Sequence, residues 1–320
     1  MGDNSLFKMK IGLFGIVLGL GLMGLAPWVW GASPLKVSAS TLLGYDNNAR
    51  LNAERKEDGF GEETVTLVYK TPVSDAVKLR LRYDLVNVNY FNTSDEDVLW
   101  QEAGAGLDFD FLPKTTLETD YAFSYFYFHE DNLASSIKHT GRVGLRHRFS
   151  NRMSARTGFG VSTKGFEDRK LREGEGFLSD EERSDLRYTA DSEVRVKVTD
   201  ALILRPGFIF YRNDSDDQFH DYYDYNAYKF YTKAHLKLCP NLSASFKFSY
   251  ERRDYDSRPV IDDANVIEEA DVYIGSGGLF YKFHKNITLG AVYTYRQKNS
   301  NEPSQQYSSS ITTLGLYYSF

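Results

Sequence analysis

The charged residues of this sequence that could do chemistry alternate with apolar residues over long stretches. In the segment LRYTADSEVRVKVT, an extended backbone would place Arg187, Asp191, Glu193, Arg195 and Lys197 on one face. The other face would carry leucine, tyrosine, alanine and valine. Successive side chains of a β-strand point to opposite faces, so such a strand is ionic on one side and apolar on the other. The chemistry open to the ionic side is the binding or conduction of charged solutes.

The same period of two recurs along the chain after residue 33, where no helical period persists. It predicts about 14 antiparallel strands, and about 12 to 16 is the range that the pattern allows. The predicted strands cover residues 35–45, 62–71, 76–90, 98–112, 115–128, 136–149, 152–164, 184–199, 201–212, 225–238, 242–254, 269–284, 286–298 and 307–320.

The connectors between these strands alternate between short and long. Short turns such as Pro113-Lys114 alternate with long acidic segments such as 165–183 and 255–268. Outer-membrane barrels have short periplasmic turns opposite long external loops, and they need only every second residue apolar. Because only every second residue of such a barrel is apolar, its mean hydropathy is low, and the value of −0.45 with an aromatic content of 15% agrees with this. The sequence predicts an all-β fold, a transmembrane antiparallel up-and-down β-barrel over residues 33–320.

The amino terminus has the pattern of a secretory signal peptide. Lys8 and Lys10 precede the apolar run IGLFGIVLGLGLMGL, and Gly31 and Ala32 are small residues at which cleavage is plausible. We expect residues 1–32 to be a signal peptide. A retained anchor helix is the alternative, because the following Pro-Trp-Val-Trp brings the run close to the length that spans a membrane.

The carboxyl terminus resembles the insertion signal of bacterial outer-membrane proteins. Apolar side chains occupy every second position and share one face, namely Phe320, Tyr318, Leu316 and Leu314. We expect the barrel assembly machinery to recognise this segment, and lipids of the outer membrane to surround the inserted barrel. The predicted location is the outer membrane of a Gram-negative bacterium.

The ionic faces of the predicted strands would line a hydrated lumen that is largely basic. So many inward charges require water or mutual pairing, because unpaired burial of each charge costs several kcal/mol. The predicted lining consists of the bases Arg80, Arg82, Arg142, Arg146, Arg156, Arg187, Arg195, Lys197, Lys229, Lys233, Lys237 and Lys247, and of the acids Glu102, Asp108, Glu118 and Asp120.

Aromatic side chains on this inward face could stack against sugars, and Phe126 and Phe128 are the candidates. Most other aromatic residues of the strands suit the boundary between lipid and water, where an amphipathic ring contacts both phases. Basic and aromatic residues also interleave at 229–233, but strand alternation accounts for this, so we expect no nucleic-acid partner.

Several strands and turns resemble one group of outer-membrane proteins, the β-barrel porin 2 group. The resemblance rests on the run VGLRHRF at 143–149, on Leu-Arg-Tyr and Phe-Ser-Tyr strand segments, and on Pro-Lys, Ser-Asn-Arg and Pro-Asn-Leu turns. It spans most of residues 60–320 and includes no catalytic signature. It implies a porin or export channel, and the frequent association of that group with exopolysaccharide systems implies polysaccharide-export components as partners.

Three functions follow from these patterns, and the first is a porin or export channel for anionic solutes or exopolysaccharide. The second is a structural or adhesive barrel whose lumen is occluded by cross-strand ion pairs. The third is a barrel enzyme, which would need a catalytic cluster at the outer rim. The sequence has no HExxH motif and no G-x-S-x-G elbow. We interpret Asp217, His220 and Asp221 as a polar loop tip, and expect no enzyme activity, cofactor or metal.

Overall fold

The computed structural model describes most of the chain beyond the predicted signal peptide, and residues 1–32 lie outside the described residues. None of the helices in the part described is long and apolar enough to cross a membrane. Single turns of 3-10 helix occur at Ser94–Glu96 and Pro303–Gln305. The structure describes residues 34–52, 54–130, 134–174, 177–217, 221–261 and 263–320.

Antiparallel β-strands build one closed sheet of 14 strands in sequence order, and β1 pairs with β14 to complete it. The predicted up-and-down barrel is therefore confirmed. The strands are β1 Leu35–Asp46, β2 Asp58–Pro72, β3 Val77–Tyr90, β4 Val98–Leu112, β5 Thr115–Phe128, β6 Ser136–Arg148, β7 Met153–Gly174, β8 Phe177–Lys197, β9 Leu202–Ser215, β10 Tyr225–Cys239, β11 Leu242–Val260, β12 Asp263–His284, β13 Ile287–Ser300 and β14 Tyr307–Ser319.

Two acidic segments that the sequence predicted as long loops are paired hairpins, so that prediction was wrong. β7 and β8 continue to Gly174 and Phe177, which makes strand of most of segment 165–183. β11 and β12 likewise continue to Val260 and Asp263. The apolar-polar alternation that identifies a membrane strand is absent there. A strand that projects beyond lipid can be polar on both faces, because both faces then meet water.

The seam between the first and last strands closes the barrel at the carboxyl terminus. The Phe320 N–H donates to the Val37 carbonyl at 2.9 Å, and the Val37 N–H donates to the Phe320 carbonyl at 3.3 Å. In the register of β14, Leu314, Leu316 and Tyr318 share its outward face. Recognition of this segment by the assembly machinery stays a prediction.

The outward face of the barrel carries a band of exposed apolar side chains. Soluble proteins rarely expose apolar patches that are this extended, whereas a lipid-facing barrel surface requires one. The barrel therefore spans a membrane with this band in the lipid. Side chains of the band that are more than half exposed include Leu43, Phe230, Phe246, Phe248, Leu279, Tyr293 and Leu314.

A charge should therefore destabilise the barrel on one face of β11 and be tolerated on the other. Phe248 points outward, where the substitution Phe248→Arg should lower the free energy of unfolding by about 2–4 kcal/mol, the cost of an arginine at the bilayer midplane. Ser245 points inward, and Ser245→Arg should cost much less. Urea unfolding of both variants in lipid vesicles checks this. Equal losses would contradict the assignment of the two faces.

Candidate functional site: the ionic lumen

The pairing register places all the predicted lumen residues on the inward face, opposite to the apolar band. Arg80, for example, pairs with Gly106, and Gly106 pairs with Asp120, so the three share one face on consecutive strands. Ion pairs then join side chains on strands that are not neighbours, which the concave inner surface of a barrel allows. That these residues line a conducting lumen stays a prediction.

A buried carboxylate holds two opposed arginines together on β6 and β7. Arg146 and Arg156 lie directly opposite each other in the register, an arrangement that is destabilising for like charges. The Glu118 carboxylate binds both guanidinium groups, at 3.2 Å to Arg146 and 2.6 Å to Arg156. The Glu118 side chain is only 5% exposed. This acid therefore neutralises a repulsion that the two strands would otherwise retain.

Arg80 spans two strands because a glycine lies between it and its partner. Its guanidinium binds Asp108 at 2.8 Å on β4 and Asp120 at 2.9 Å on β5. A Cβ atom at Gly106 would overlap the Asp120 carboxylate and the Thr119 carbonyl. The absence of a side chain at Gly106 thus lets the arginine lie along the wall.

The same arrangement recurs on the other side of the barrel. Tyr231 on β10 pairs with Gly207 on β9, and Gly207 pairs with Glu193 on β8. The Tyr231 hydroxyl donates to the Glu193 carboxylate at 3.1 Å, and the ammonium of Lys233 binds the same carboxylate at 3.1 Å. A Cβ atom at Gly207 would overlap the Tyr231 ring. Glycine again leaves the space that a long side chain crosses.

Two further acids of the inward face are bonded to bases. Arg142 binds both oxygens of Asp191 at 2.7 Å. Glu251 accepts from the Lys229 ammonium at 3.1 Å and from the Tyr211 hydroxyl at 2.8 Å. These contacts leave no acid at these positions free to attract a cation.

Sequence reasoning missed several members of this network. Glu251 and Asp84 lie on the inward face, and the signal for both was available. Glu251 lies four residues from Lys247 on β11, and Asp84 lies two residues from Arg82 on β3, to which it is bonded. An even spacing along a strand places both members of each pair on the same face. Tyr211 and Tyr231 were not assigned to the lumen, because aromatic residues in a barrel also suit the lipid boundary.

The remaining predicted residues lie on the same face with milder or local contacts. Glu102 accepts a hydrogen bond from Ser124 at 2.7 Å. Lys197 lies at the end of β8, where its ammonium binds Asp200 of the following turn at 2.7 Å. Hydrogen bonding and the positive charge of Lys197 hold the pKa of Asp200 below its ordinary value. Lys197 therefore stabilises the short turn at the rim, and its ammonium forms no further ion pair with the described residues of the lumen interior.

One cavity of the described structure opens at the end of the barrel that carries the short turns. It has a volume of about 1030 Å³, and its wall includes the turn residues Pro113, Lys114, Ser150 and Asn151. Outer-membrane barrels direct this end to the periplasm. Its charged lining is mostly basic, with Lys78, Lys114, Arg146, Arg148, Arg156, Arg195 and Arg205 against Asp110 and Glu193.

Some of the inward bases have no acidic partner. In the part of the chain that the structure describes, their side chains form neither an ion pair nor a hydrogen bond, while the acids of the same face are bonded. These bases lie on the part of the wall that is near the short turns. The bases concerned are Arg148, Arg195, Arg205, Lys237 and Lys247.

The fold of this chain is similar to that of known outer-membrane proteins. A loop-deletion mutant of OmpT, an outer membrane protein of Vibrio cholerae, is similar with a TM-score of 0.51 and 10% identity, over 89% of this chain and 99% of that chain. The CymD monoaromatic hydrocarbon channel is similar with a TM-score of 0.50 and 9% identity, over 90% of this chain and 89% of that chain. No protein-family model and no curated protein matches the chain.

The closed sheet, the outward apolar band and these likenesses define the class. The chain is an outer-membrane β-barrel protein, and its location is the outer membrane. The likenesses extend to outer-membrane barrels in general and not to the β-barrel porin 2 group in particular.

The glycine bridge on β9 gives a test of the network. In Gly207→Ala, the new methyl group should displace Tyr231 and break its bond to Glu193. The free energy of unfolding should fall by about 1–3 kcal/mol, the usual cost of overpacking. Gly275→Ala is the matched control, because a Cβ atom there meets nothing within 4 Å. Urea unfolding of both variants measures the difference. An equal effect at the two glycines would exclude the bridge.

Proposed function

We propose that this barrel is a channel whose lumen favours anionic solutes. One observation carries the proposal: the acids of the inward face are bonded to neighbouring side chains, while bases such as Arg148, Arg195 and Arg205 have no acidic partner among the described residues. Rings of charge in a low-dielectric wall set the ion selectivity of a pore. The uncompensated charge of this wall attracts anions and repels cations.

The location of these bases agrees with export. They surround the cavity of about 1030 Å³ at the short-turn end, so an anionic solute that leaves the periplasm meets them first. The resemblance to the β-barrel porin 2 group supports an acidic exopolysaccharide as the solute. Its partners would then include polysaccharide-export components, besides the outer-membrane lipids and the assembly machinery. We assign no catalytic step, cofactor or nucleic-acid partner to the barrel.

A structural barrel with an occluded lumen is the second candidate. The ion pairs that cross from β3 to β5 and from β6 to β8 favour it, because the charges that they join bond each other and not a passing solute. The two functions differ in one measurable property, since an occluded barrel conducts no current.

Reversal potentials of the refolded protein in planar bilayers test the channel. Under a KCl gradient, we expect chloride to be preferred over potassium. The triple variant Arg148→Gln, Arg195→Gln, Arg205→Gln should shift the permeability ratio toward equality, because it removes the uncompensated charge. The control Lys56→Gln, Lys285→Gln removes exposed cations outside the lumen and should leave the ratio unchanged.

Two results would overturn this proposal. A preference for potassium would show that the bonded acids dominate the field in the lumen. An absence of conductance, from a protein whose circular dichroism shows folded β-structure, would favour the occluded structural barrel.

A further inference from the structure

Two lysines face each other on the inward surface without an acidic partner. Lys138 on β6 lies directly opposite Lys164 on β7. Neither ammonium forms an ion pair with any of the described residues, and that of Lys164 lies 4.2 Å from the centre of the Phe166 ring. Two acids, Glu102 and Asp185, act on them from further away, but both are already bonded to other side chains. Like charges directly opposite on neighbouring strands are destabilising. An anion between the two ammonium groups would remove this repulsion.

The same two strands show what such an anion does. Further along them, Arg146 lies opposite Arg156, and the carboxylate of Glu118 bonds both. There the protein supplies the carboxylate itself. At Lys138 and Lys164 the arrangement of bases is repeated and the carboxylate is not, so a ligand can take its place.

Two adjoining cavities lie beside the lysines, on the half of the barrel away from the short turns. Their volumes are about 280 Å³ and 360 Å³, and Phe128, Lys164 and Asp185 line both. Together they reach the usual size of a small-ligand site, about 300–1,000 Å³. Aromatic rings form much of the wall, namely Phe126, Phe128, Phe166, Tyr223, Tyr225 and Tyr255. We call these lining residues the cationic-aromatic chamber.

Buried polar atoms in the chamber wall lack a partner. The hydroxyl of Ser136 and the Nη1 group of Arg183 have no hydrogen bond among the described residues. Ser136 is 0% exposed and Arg183 is 4% exposed. Buried polar groups are almost always hydrogen-bonded in folded proteins. Ser136 lines the cavity of about 280 Å³ and Arg183 that of about 360 Å³.

A further base, Arg187, adds to the positive charge of the chamber. Arg187 donates to the Asn213 side chain and to the Tyr225 hydroxyl, each at 3.0 Å. Both partners are neutral, so they orient the guanidinium without compensating its charge. Its Cζ atom lies 4.6 Å from the centre of the Tyr211 ring, which fixes it further by a cation–π contact. The chamber thus combines oriented positive charge with aromatic surfaces.

We propose that the cationic-aromatic chamber binds a carboxylated sugar ring. The carboxylate lies between Lys138 and Lys164, as that of Glu118 lies between its two arginines. The hydroxyls of the sugar bond Ser136 and Arg183, and the apolar face of the ring packs on Phe126 and Phe128. The inference rests on the proposed function, because it names the substrate class of the channel: an acidic polysaccharide contains many such rings.

Isothermal titration calorimetry with tri-galacturonate tests the chamber on the refolded protein in detergent, where no conduction is needed. The variant Lys138→Gln, Lys164→Gln should weaken binding about tenfold or more, the effect of losing a charged hydrogen bond. The control Lys56→Gln, Lys285→Gln removes the same charge outside the barrel interior and should bind as the wild type does. Circular dichroism verifies the folding of each variant.

Titrations with two further ligands test whether the site recognises a sugar. Neutral maltotriose and free acetate should each bind far more weakly than tri-galacturonate, because each lacks half of the recognition. The substitution Phe128→Leu should weaken binding of tri-galacturonate and leave that of acetate unchanged. Acetate that binds as tightly as the trisaccharide would overturn the assignment of a sugar.

The outcomes separate this inference from the proposed function. Unchanged binding of tri-galacturonate to Lys138→Gln, Lys164→Gln would overturn the chamber, even if the channel prefers chloride. Conversely, tight binding that this variant loses would support the chamber, even if the bilayer shows no anion preference and the proposed function fails.

Discussion

Inside a bilayer no water is available to the peptide groups, so every N–H and C=O must find a partner within the protein. A sheet meets this requirement only when it has no edge, and the pairing of β1 with β14 removes the last one. The rest of the structure depends on this closure. Within the bilayer it forces one side of every strand into lipid and the other into a shared interior, and there it confines the charged residues to the inside.

Acids and bases of the interior neutralise each other, and several of these ion pairs join strands that are not neighbours in the sheet. The acids are bonded to bases or, as at Glu102, to a hydroxyl group. Bases without an acidic partner among the described residues lie in two places. One lies around the short-turn cavity with Arg195 and Arg205, and the other around Lys138 and Lys164.

The period of two was sufficient to predict the strand number and the face of bases such as Arg146 and Lys229, because the alternation of side chains is a local property of extended backbone. The lengths of the hairpins at 165–183 and 255–268 were not predictable, since beyond the lipid both faces are polar. Bonds such as Tyr231 to Glu193 were equally inaccessible, because they depend on the stagger between strands. Parity alone can tell that Phe126 faces inward, but the neighbouring lysine pair needs the register.

The glycines at 106 and 207 have a consequence for the bore of the barrel. At these glycines the side chains of Arg80 and Tyr231 lie along the sheet and do not project toward the barrel axis. The clear width of the interior is therefore not a fixed result of strand number. A methyl group at either position would tilt one long side chain toward the barrel axis. Single-residue changes can therefore alter the open width of such a barrel while the number and pairing of its strands stay the same.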